Sequence, residues 1–196
     1  MIYPNFSLEK KLFAQGYQTI AAIDEVGRGA WAGPLIAAAV IVDLNLPKIT
    51  IRDSKLLTPN KREKVFKITR NLLIWSVGLV SNEEIDNYGL TWANQQVVFR
   101  ALDNLPLGPD YLLLDYIHGF NHKLPHQLII AGDYKIKSIS LASILAKVTR
   151  DRLMKKFDKL YPNYSFAKHK GYGTIEHQKL IDQHGPCPLH RLSFLN

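Results

Sequence analysis

The sequence has a single cysteine, Cys187, among its 196 residues, and it has no long apolar run. One cysteine excludes a disulfide within the chain and is typical of a reducing compartment. The longest apolar run, 35–42, has eight residues, whereas a membrane-spanning helix needs about 20. The first thirty residues mix charged with apolar residues and contain no leader-like apolar core. We therefore expect a cytoplasmic protein without a membrane span.

Acidic residues are few relative to basic ones, with 17 Asp and Glu against 25 Lys and Arg, which gives a formal net charge of +8. This excess favours anionic partners, of which nucleic acid is one and an acidic membrane surface another. The content of 46% hydrophobic and 21% charged residues argues against a disordered or fibrous chain. We expect one domain over residues 1–196, with about 160–196 forming a C-terminal appendage.

Apolar segments and helix signals alternate along the chain. Strands are predicted at 19–24, 35–42, 75–80, 111–115 and 127–131. Helices are predicted to begin at Thr58 and Ser81, to cover 91–105 and 139–160, and to run from a Thr174 cap to Gly185. Strands that later alternate with helices predict an α/β protein, with a mixed central sheet and helices on its faces.

Carboxylates stand at the ends of three predicted strands. Asp24 and Glu25 end the first, Asp115 ends the fourth, and Asp133 follows the fifth. Ligands usually bind at strand ends in an open α/β sheet. Crowded carboxylates repel one another unless a divalent cation lies among them, and oxygen ligands suit Mg²⁺ or Mn²⁺. The pattern predicts a metal that bridges to phosphate, although Asp also favours turns and Asp151 remains an alternative ligand.

The glycine-rich segment 27–33 has three interpretations. It is similar to a dinucleotide-binding fingerprint, with Asp53 about twenty residues further on. That fingerprint must open a helix, however, and here Pro34 leads into a strand-like run. The segment could instead let the backbone approach a sugar-phosphate chain closely, because glycine has no Cβ to block it. It could also be a plain hairpin turn.

Two basic segments are candidates for contact with nucleic acid. Lys147 and Arg150 lie off the apolar stripe of the predicted helix 139–160, where they would contact phosphates or simply face solvent. The loop 168–174 places Tyr172 between two glycines, where the ring could stack on a nucleotide or pack on the core.

Three histidines, His118, His122 and His126, are spaced four residues apart. On a helix this spacing would place them on one face and suggest a metal site. Gly119 and Pro125 disfavour that helix, and we expect no histidine metal site there.

Short motifs occur in a fixed order along nearly the whole chain. They read AIDEVGRG at 22–29, AGP at 32–34, DSK at 53–55, KRE at 61–63, LLD at 113–115, GD at 132–133, ASILAKVTRD at 142–151, HKGYGT at 169–174 and HRLSF at 190–194. Together they resemble bacterial ribonuclease HII, the type 2 ribonuclease H. The sequence departs from the family pattern at Tyr116, where a glycine is usual, in the loop 117–125, and at Leu141, where alanine is typical.

The resemblance implies an RNase H-like fold with a small helical C-terminal extension. It also implies cleavage of RNA in RNA–DNA hybrids and incision 5′ of a single ribonucleotide in duplex DNA, by two-metal-ion hydrolysis that leaves 5′-phosphate and 3′-hydroxyl ends. The family's catalytic and metal-binding acids match Asp24, Glu25, Asp115 and Asp133, with Mg²⁺ or Mn²⁺ as the cofactor. This match favours Asp133 over Asp151.

The resemblance also implies how the substrate is recognised. Gly27, Arg28 and Gly29 match the segment that reads the ribose 2′-hydroxyl, and Tyr172 matches the aromatic residue that supports recognition of the RNA–DNA junction. We add Lys55, Lys147 and Arg150 as substrate contacts. The expected partners are RNA–DNA hybrids and ribonucleotide-containing duplexes, with no membrane partner, and we expect a monomer.

Two other functional classes remain open. A non-catalytic hybrid-binding protein would bind duplexes without needing the acids, and metal-dependent turnover separates it from an enzyme. A nuclease of the same fold that acts on DNA junctions would cut all-DNA substrates, which a 2′-hydroxyl requirement forbids.

Overall fold

The centre of the protein is a five-stranded mixed sheet, seen in a computed structural model that describes residues 4–46 and 57–195. Its strands are β1 (Ile20–Val26), β2 (Leu35–Ile41), β3 (Trp75–Val80), β4 (Tyr111–Asp115) and β5 (His126–Ile129). Their spatial order is β3-β2-β1-β4-β5. The pairs β1–β2 and β2–β3 are antiparallel, whereas β1–β4 and β4–β5 are parallel. The predicted mixed α/β sheet is confirmed.

Helices pack on both faces of this sheet. They are α1 (Ser7–Ala14), α2 (Pro59–Thr69), α3 (Asn82–Asp103), α4 (Gly132–Lys135), α5 (Lys137–Leu160), α6 (Phe166–His169) and α7 (Ile175–His184), with 3₁₀ turns at Pro162–Tyr164 and Leu192–Phe194. None of the helices in the described ranges is long and apolar enough to cross a membrane.

Three helices begin where the sequence predicts them. The side-chain oxygens of Thr58 and Thr174 each accept an N–H bond from the first turn of α2 and α7. Ser81 and Glu84 form the predicted capping box of α3. The sequence predicts two helices between 81 and 105, and the non-helical backbone of Gly89 (φ 80°, ψ 161°) does divide α3 into two helical stretches.

Helix α1 was not predicted, because its stability depends on contacts that are distant in sequence. Leu12 packs in a cluster with Ile20 of β1 and Ile139 of α5. The buried Glu9 carboxylate accepts hydrogen bonds from the Ser138 amide at 3.1 Å and from its hydroxyl at 2.7 Å. Glu9 therefore joins α1 to the first turn of α5.

Small side chains in β2 let helices approach both faces of the sheet. Ala37 and Ala39 face α3, and Ala38 faces α5, and all three are fully buried. The C-terminal residues pack separately, where Phe166 shares a core with Met154 of α5. The predicted C-terminal appendage thus lies against the rest of the domain through its own apolar cluster.

We predict that Gly78→Ala destabilises the protein by about 3 kcal/mol, as expected of an overpacked core. A Cβ at Gly78 would overlap the carbonyl oxygen of Val97 and the amide nitrogen of Ala101, and helix backbone cannot move aside as a side chain can. Urea or thermal unfolding measures the change. Gly108→Ala is the matched control, because a Cβ there meets nothing within 4 Å. Equal effects of the two substitutions would contradict this packing.

Candidate active site

Two strands of the sheet, β1 and β4, and the short helix α4 after β5 bring the predicted acids to one edge of the sheet. In the parallel ladder of β1 and β4, Ile23 pairs with Leu114, so the next residues, Asp24 and Asp115, are neighbours at the same end. The amide of Gly132, the first residue of α4, donates a hydrogen bond of 2.8 Å to Asp115 Oδ1. Asp133 follows directly on that helix. Strand pairing and one hydrogen bond therefore gather residues that are far apart in sequence.

Burial and mutual repulsion perturb the first acid strongly. Asp24 is only 5% exposed and Asp133 only 1%. Burial raises the pKa of Asp24 well above its usual range, and the charges of Glu25, Asp115 and Asp133 raise it further. A hydrogen bond from the Ser143 hydroxyl on α5 opposes this effect. The four predicted acids thus interact as one electrostatic cluster.

Glu25 lies beside the basic side chain of Arg28, which opposes part of the rise in pKa that burial causes. Burial raises its pKa to about 7, and the charge of Asp115 contributes, whereas Arg28 lowers it. The Arg28 guanidinium lies 3.5 Å from Glu25 Oε1, and it is 46% exposed at the mouth of the site. The Glu25 amide donates to Asp24 Oδ1 at 2.8 Å, which orients the neighbouring carboxylate.

The chemistry of this cluster fits a hard divalent cation. Every donor is a carboxylate oxygen, the type that Mg²⁺ and Mn²⁺ prefer. Glu25 Oε2 is buried and accepts no hydrogen bond from any residue in the described ranges. Across the described residues, no three Asp, Glu, His or Cys side chains are spaced as a formed metal shell. The fit therefore rests on donor type, crowded negative charge and the unsatisfied Glu25 oxygen.

Three of the acids, Asp24, Glu25 and Asp115, line a cleft of about 400 Å³ that also has basic and aromatic walls, whereas Asp133 is buried and is not among its lining residues. An acidic floor beside basic walls suits a phosphodiester, whose phosphate needs both a cation and basic contacts. Its lining residues include Asp24, Glu25, Gly27, Arg28, Gly29, Arg62, Asp115, Ser143, Lys147 and Tyr172.

Lys147 lines the cleft, and the presence of an acid at position 151 is explained by its ion pair with this lysine. Lys147 Nζ and Asp151 Oδ1 form an ion pair of 2.8 Å, one helical turn apart on α5. Asp151 lines an adjacent basic groove rather than the acidic cleft. Lys55 and Asp53 lie outside the described residues.

The structure does not support the interpretation of Arg150 as a phosphate contact. Arg150 is fully buried, and its guanidinium donates to the carbonyl oxygens of Pro34, Lys170 and Ala32 at 2.9, 2.8 and 3.0 Å. The helix pattern alone could not reveal this, because the segments that cover Arg150 come from the glycine loop and from the C-terminal residues.

The glycine loop and the Tyr172 loop form one unit. The amides of Trp31 and Ala32 both donate to the Gly171 carbonyl, at 2.8 and 3.1 Å. The Tyr172 ring has Lys147 Nζ and Arg150 Cζ each 5.3 Å from its centroid. These cations hold the ring at the side of the cleft.

Two lining residues were not assigned a role from the sequence. Ser143 and Arg62 both stand inside motifs that carry the family resemblance, but motif membership alone does not show which side chains face the cleft. Ser143 is only half-buried and lines the cleft together with Lys147, one helical turn later on α5, and that face could be identified only once the sheet was placed.

The loop after Asp115 is ordered by its own apolar residues. Ile117 and Phe120 are buried against α3, and Gln95 donates to the Gly119 carbonyl at 3.0 Å. Tyr116, the departure from the family pattern, is 46% exposed. The spaced histidines are not on a helix, since His126 begins β5.

Three buried histidines support the Tyr172 loop from behind. His177 Nδ1 faces the Tyr172 carbonyl at 3.0 Å, so it carries the proton, and its Nε2 accepts from His190 Nε2 at 3.0 Å. His190 Nδ1 accepts from the Cys187 amide at 2.8 Å. His169 stacks on His177 with ring centroids 4.2 Å apart. This chain of bonds requires neutral His177 and His190.

The overall fold is similar to solved ribonuclease H structures. Ribonuclease H2 from Pyrococcus horikoshii OT3 has a TM-score of 0.74 and 26% identity, with 90% of this chain and 93% of that chain covered. Bst-RNase HIII in complex with Mn²⁺ shares the fold, with a TM-score of 0.68 and 18% identity over 89% of this chain and 66% of that one. The fold and its acidic edge define a metal-dependent ribonuclease H.

Sequence comparison identifies the family within that class. The family model described as Ribonuclease HII matches residues 21–196. A relative of that name from Caldicellulosiruptor saccharolyticus is 47% identical over 191 residues, which are 97% of this chain and 93% of the relative. The chain belongs to the ribonuclease HII family, and the predicted family is confirmed. Its activity is endoribonucleolytic cleavage of RNA–DNA hybrids.

We predict that the histidine cluster makes stability fall in mild acid. Burial, then the neighbouring His169, lowers the pKa of His177 to about 4. The unfolded chain binds the proton near pH 6.5, so the free energy of unfolding decreases as the pH falls from about 6.5 towards 4. In urea unfolding, the wild type should have a higher free energy of unfolding than His177→Gln near neutral pH, and this difference should become smaller as the pH falls across this range. The exposed His118→Gln is the control, and a difference independent of pH would contradict the neutral cluster.

Proposed function

We propose that the cleft also incises duplex DNA 5′ of a single ribonucleotide, by two-metal-ion hydrolysis that leaves 5′-phosphate and 3′-hydroxyl ends. The observation that carries this proposal is that one cleft is lined by three of the acids (Asp24, Glu25 and Asp115), by the glycine loop and by Tyr172. The acids supply a place for phosphodiester cleavage, while the loop and the ring supply contacts that could distinguish one sugar in a duplex.

Asp24, Glu25, Asp115 and Asp133 are the residues that would hold the cations. Two bound cations would lower the pKa of the attacking water and stabilise the leaving 3′-oxygen. The protein orients these acids with its own groups. The Ser143 hydroxyl hydrogen-bonds Asp24, the Gly132 amide holds Asp115 Oδ1, and Arg28 lies beside Glu25.

The glycine loop supports selection of a ribonucleotide. Arg28 and Gly29 line the cleft, and neither of their backbone amides donates a hydrogen bond to the described part of the chain. These donors suit a ribose 2′-hydroxyl, the group by which a protein distinguishes RNA from DNA at one site. An all-DNA strand offers no oxygen at that position.

Basic residues next to the cleft support duplex binding. Lys147 and Arg62 line both the acidic cleft and a neighbouring groove of about 370 Å³, which continues past Lys155, Lys168 and Lys170. These side chains would contact phosphates, so affinity should fall steeply with salt. We also propose that the protein acts in the cytoplasm as a monomer. Its role would be ribonucleotide excision repair, because its cut would leave a 3′-hydroxyl that a polymerase can extend.

The test is incision of a DNA duplex that carries one ribonucleotide, beside an identical all-DNA duplex, with and without Mg²⁺ or Mn²⁺. We expect a single metal-dependent cut 5′ of the ribonucleotide and none in the all-DNA duplex. Asp115→Asn should abolish cleavage and leave duplex binding unchanged, because it removes a negatively charged metal ligand and keeps the shape of the side chain. Cutting of the all-DNA duplex would favour a junction nuclease, and metal-independent binding without turnover would favour a binding protein.

We predict that Tyr172→Ala lowers the rate of incision at an embedded ribonucleotide about tenfold. Stacking of an aromatic ring on a nucleotide contributes roughly 1–3 kcal/mol. Steady-state kinetics on the single-ribonucleotide duplex measure the loss, and Tyr172→Phe should retain most of the activity. Tyr88→Ala is the control, because Tyr88 is 62% exposed on α3 and does not line the cleft. Unchanged kinetics of Tyr172→Ala would remove the ring from recognition.

A further inference from the structure

Arg191 is fully buried directly beneath the glycine loop. Its guanidinium makes four hydrogen bonds, and every acceptor is a backbone carbonyl. Nη1 donates to the Gly27 oxygen at 2.8 Å and to the Arg28 oxygen at 3.0 Å. Nε and Nη2 both donate to the Gly33 oxygen, at 3.0 and 2.8 Å. The one side chain thus joins the beginning of the loop to its end.

Among the described residues the buried guanidinium forms no ion pair, although the more distant charge of Asp86 favours its protonated form. Burial, followed by the charge of Arg150, lowers the pKa of Arg191 to about 9, so the group stays protonated at neutral pH. A cation removed from water is stable only if hydrogen bonds replace its hydration. The carbonyls of Gly27, Arg28 and Gly33 supply that replacement, and each must point towards the guanidinium.

These carbonyl directions fix the directions of two amides. In a planar trans peptide, the C=O and the following N–H point to opposite sides. The Gly27 carbonyl points inward to Arg191, so the Arg28 N–H points away from it. The Arg28 carbonyl also points inward, so the Gly29 N–H points away as well. Arg28 and Gly29 both line the cleft, and neither of their amides donates a hydrogen bond to a described residue.

Arg191 is itself held on both sides. Its own amide donates to the Trp31 carbonyl at 2.7 Å, and His190 forms a bridge with Ala32. On its other side, the amides of Leu192 and Ser193 donate to the Asp86 carboxylate of α3 at 2.8 and 3.1 Å. These bonds fix the position of the Arg191 guanidinium, and the loop carbonyls are oriented towards it.

We propose that Arg191 is a positioning residue for ribonucleotide selection: it turns the Arg28 and Gly29 amides towards the cleft. It touches no substrate and acts only through the loop backbone. This inference rests on the proposed function, because it needs those amides to read the 2′-hydroxyl. It extends that function by assigning part of the selectivity to a side chain that no substrate contact would reveal.

The test compares the affinities of two duplexes that differ by one 2′-hydroxyl, with Ca²⁺ replacing Mg²⁺ under conditions where the wild type does not cut. The wild type should bind the ribonucleotide duplex more tightly. Arg191→Met should lower this preference at least fivefold, with affinity for the all-DNA duplex within twofold of wild type. Arg191→Lys should retain more of it than Arg191→Met, because the ammonium keeps a buried positive charge and donors, but less than the wild type, because one ammonium cannot bond all three carbonyls.

The control separates positioning from general stability. Val97→Ala creates a cavity in the core between α3 and the sheet, away from the loop, and should lower the melting temperature without altering the preference. Folded Arg191 variants with the wild-type preference would overturn the inference. Failure of both Arg191 variants to fold would assign the residue to stability and likewise overturn it. A wild type with no preference would instead contradict the proposed function.

Discussion

The parallel pairing of β1 with β4 is the constraint on which the site depends. Its register sets Asp24 beside Asp115 at the same end of the sheet. No helix or loop could move these acids apart without breaking the central ladder, so their repulsion is built into the sheet. The surrounding groups reduce that repulsion: Ser143 bonds one acid, the Gly132 amide another, and Arg28 lies beside Glu25. What remains is a concentration of negative charge that suits a divalent cation.

The glycine loop is placed by the same sheet, because it connects β1 to the antiparallel strand β2. It therefore leaves the sheet directly after Asp24 and Glu25, beside the acidic cluster. The loop has no regular secondary structure, and its conformation is set by hydrogen bonds to residues from other parts of the chain. Gly171 carbonyl bonds hold one side of it, while the buried guanidiniums of Arg150 and Arg191 hold its carbonyls from below. The acidic cluster and the glycine loop thus depend on different sets of contacts.

Local chemistry explains which features the sequence predicted well. Apolar runs located every strand within a few residues, and the cap residues Thr58, Ser81 and Thr174 located helix starts, because both signals act over short range. The family motifs identified the acids, and the structure places those acids together, although their catalytic roles stay a prediction. Arg150 was misread and α1 was missed for one reason. The partners of both are remote, as in the bond between Glu9 and Ser138 across 129 positions.

The position of Arg191 near the C-terminal end of this sequence has a consequence for biosynthesis. The ribosome makes all four acids before it makes Arg191. A nascent chain therefore contains both strands of the β1–β4 ladder while the loop still lacks its cation. In the role proposed for Arg191, the loop is oriented last, after the segment that carries this residue has left the exit tunnel. Translation that stops early would yield a chain with the acids but without the residue that orients the loop.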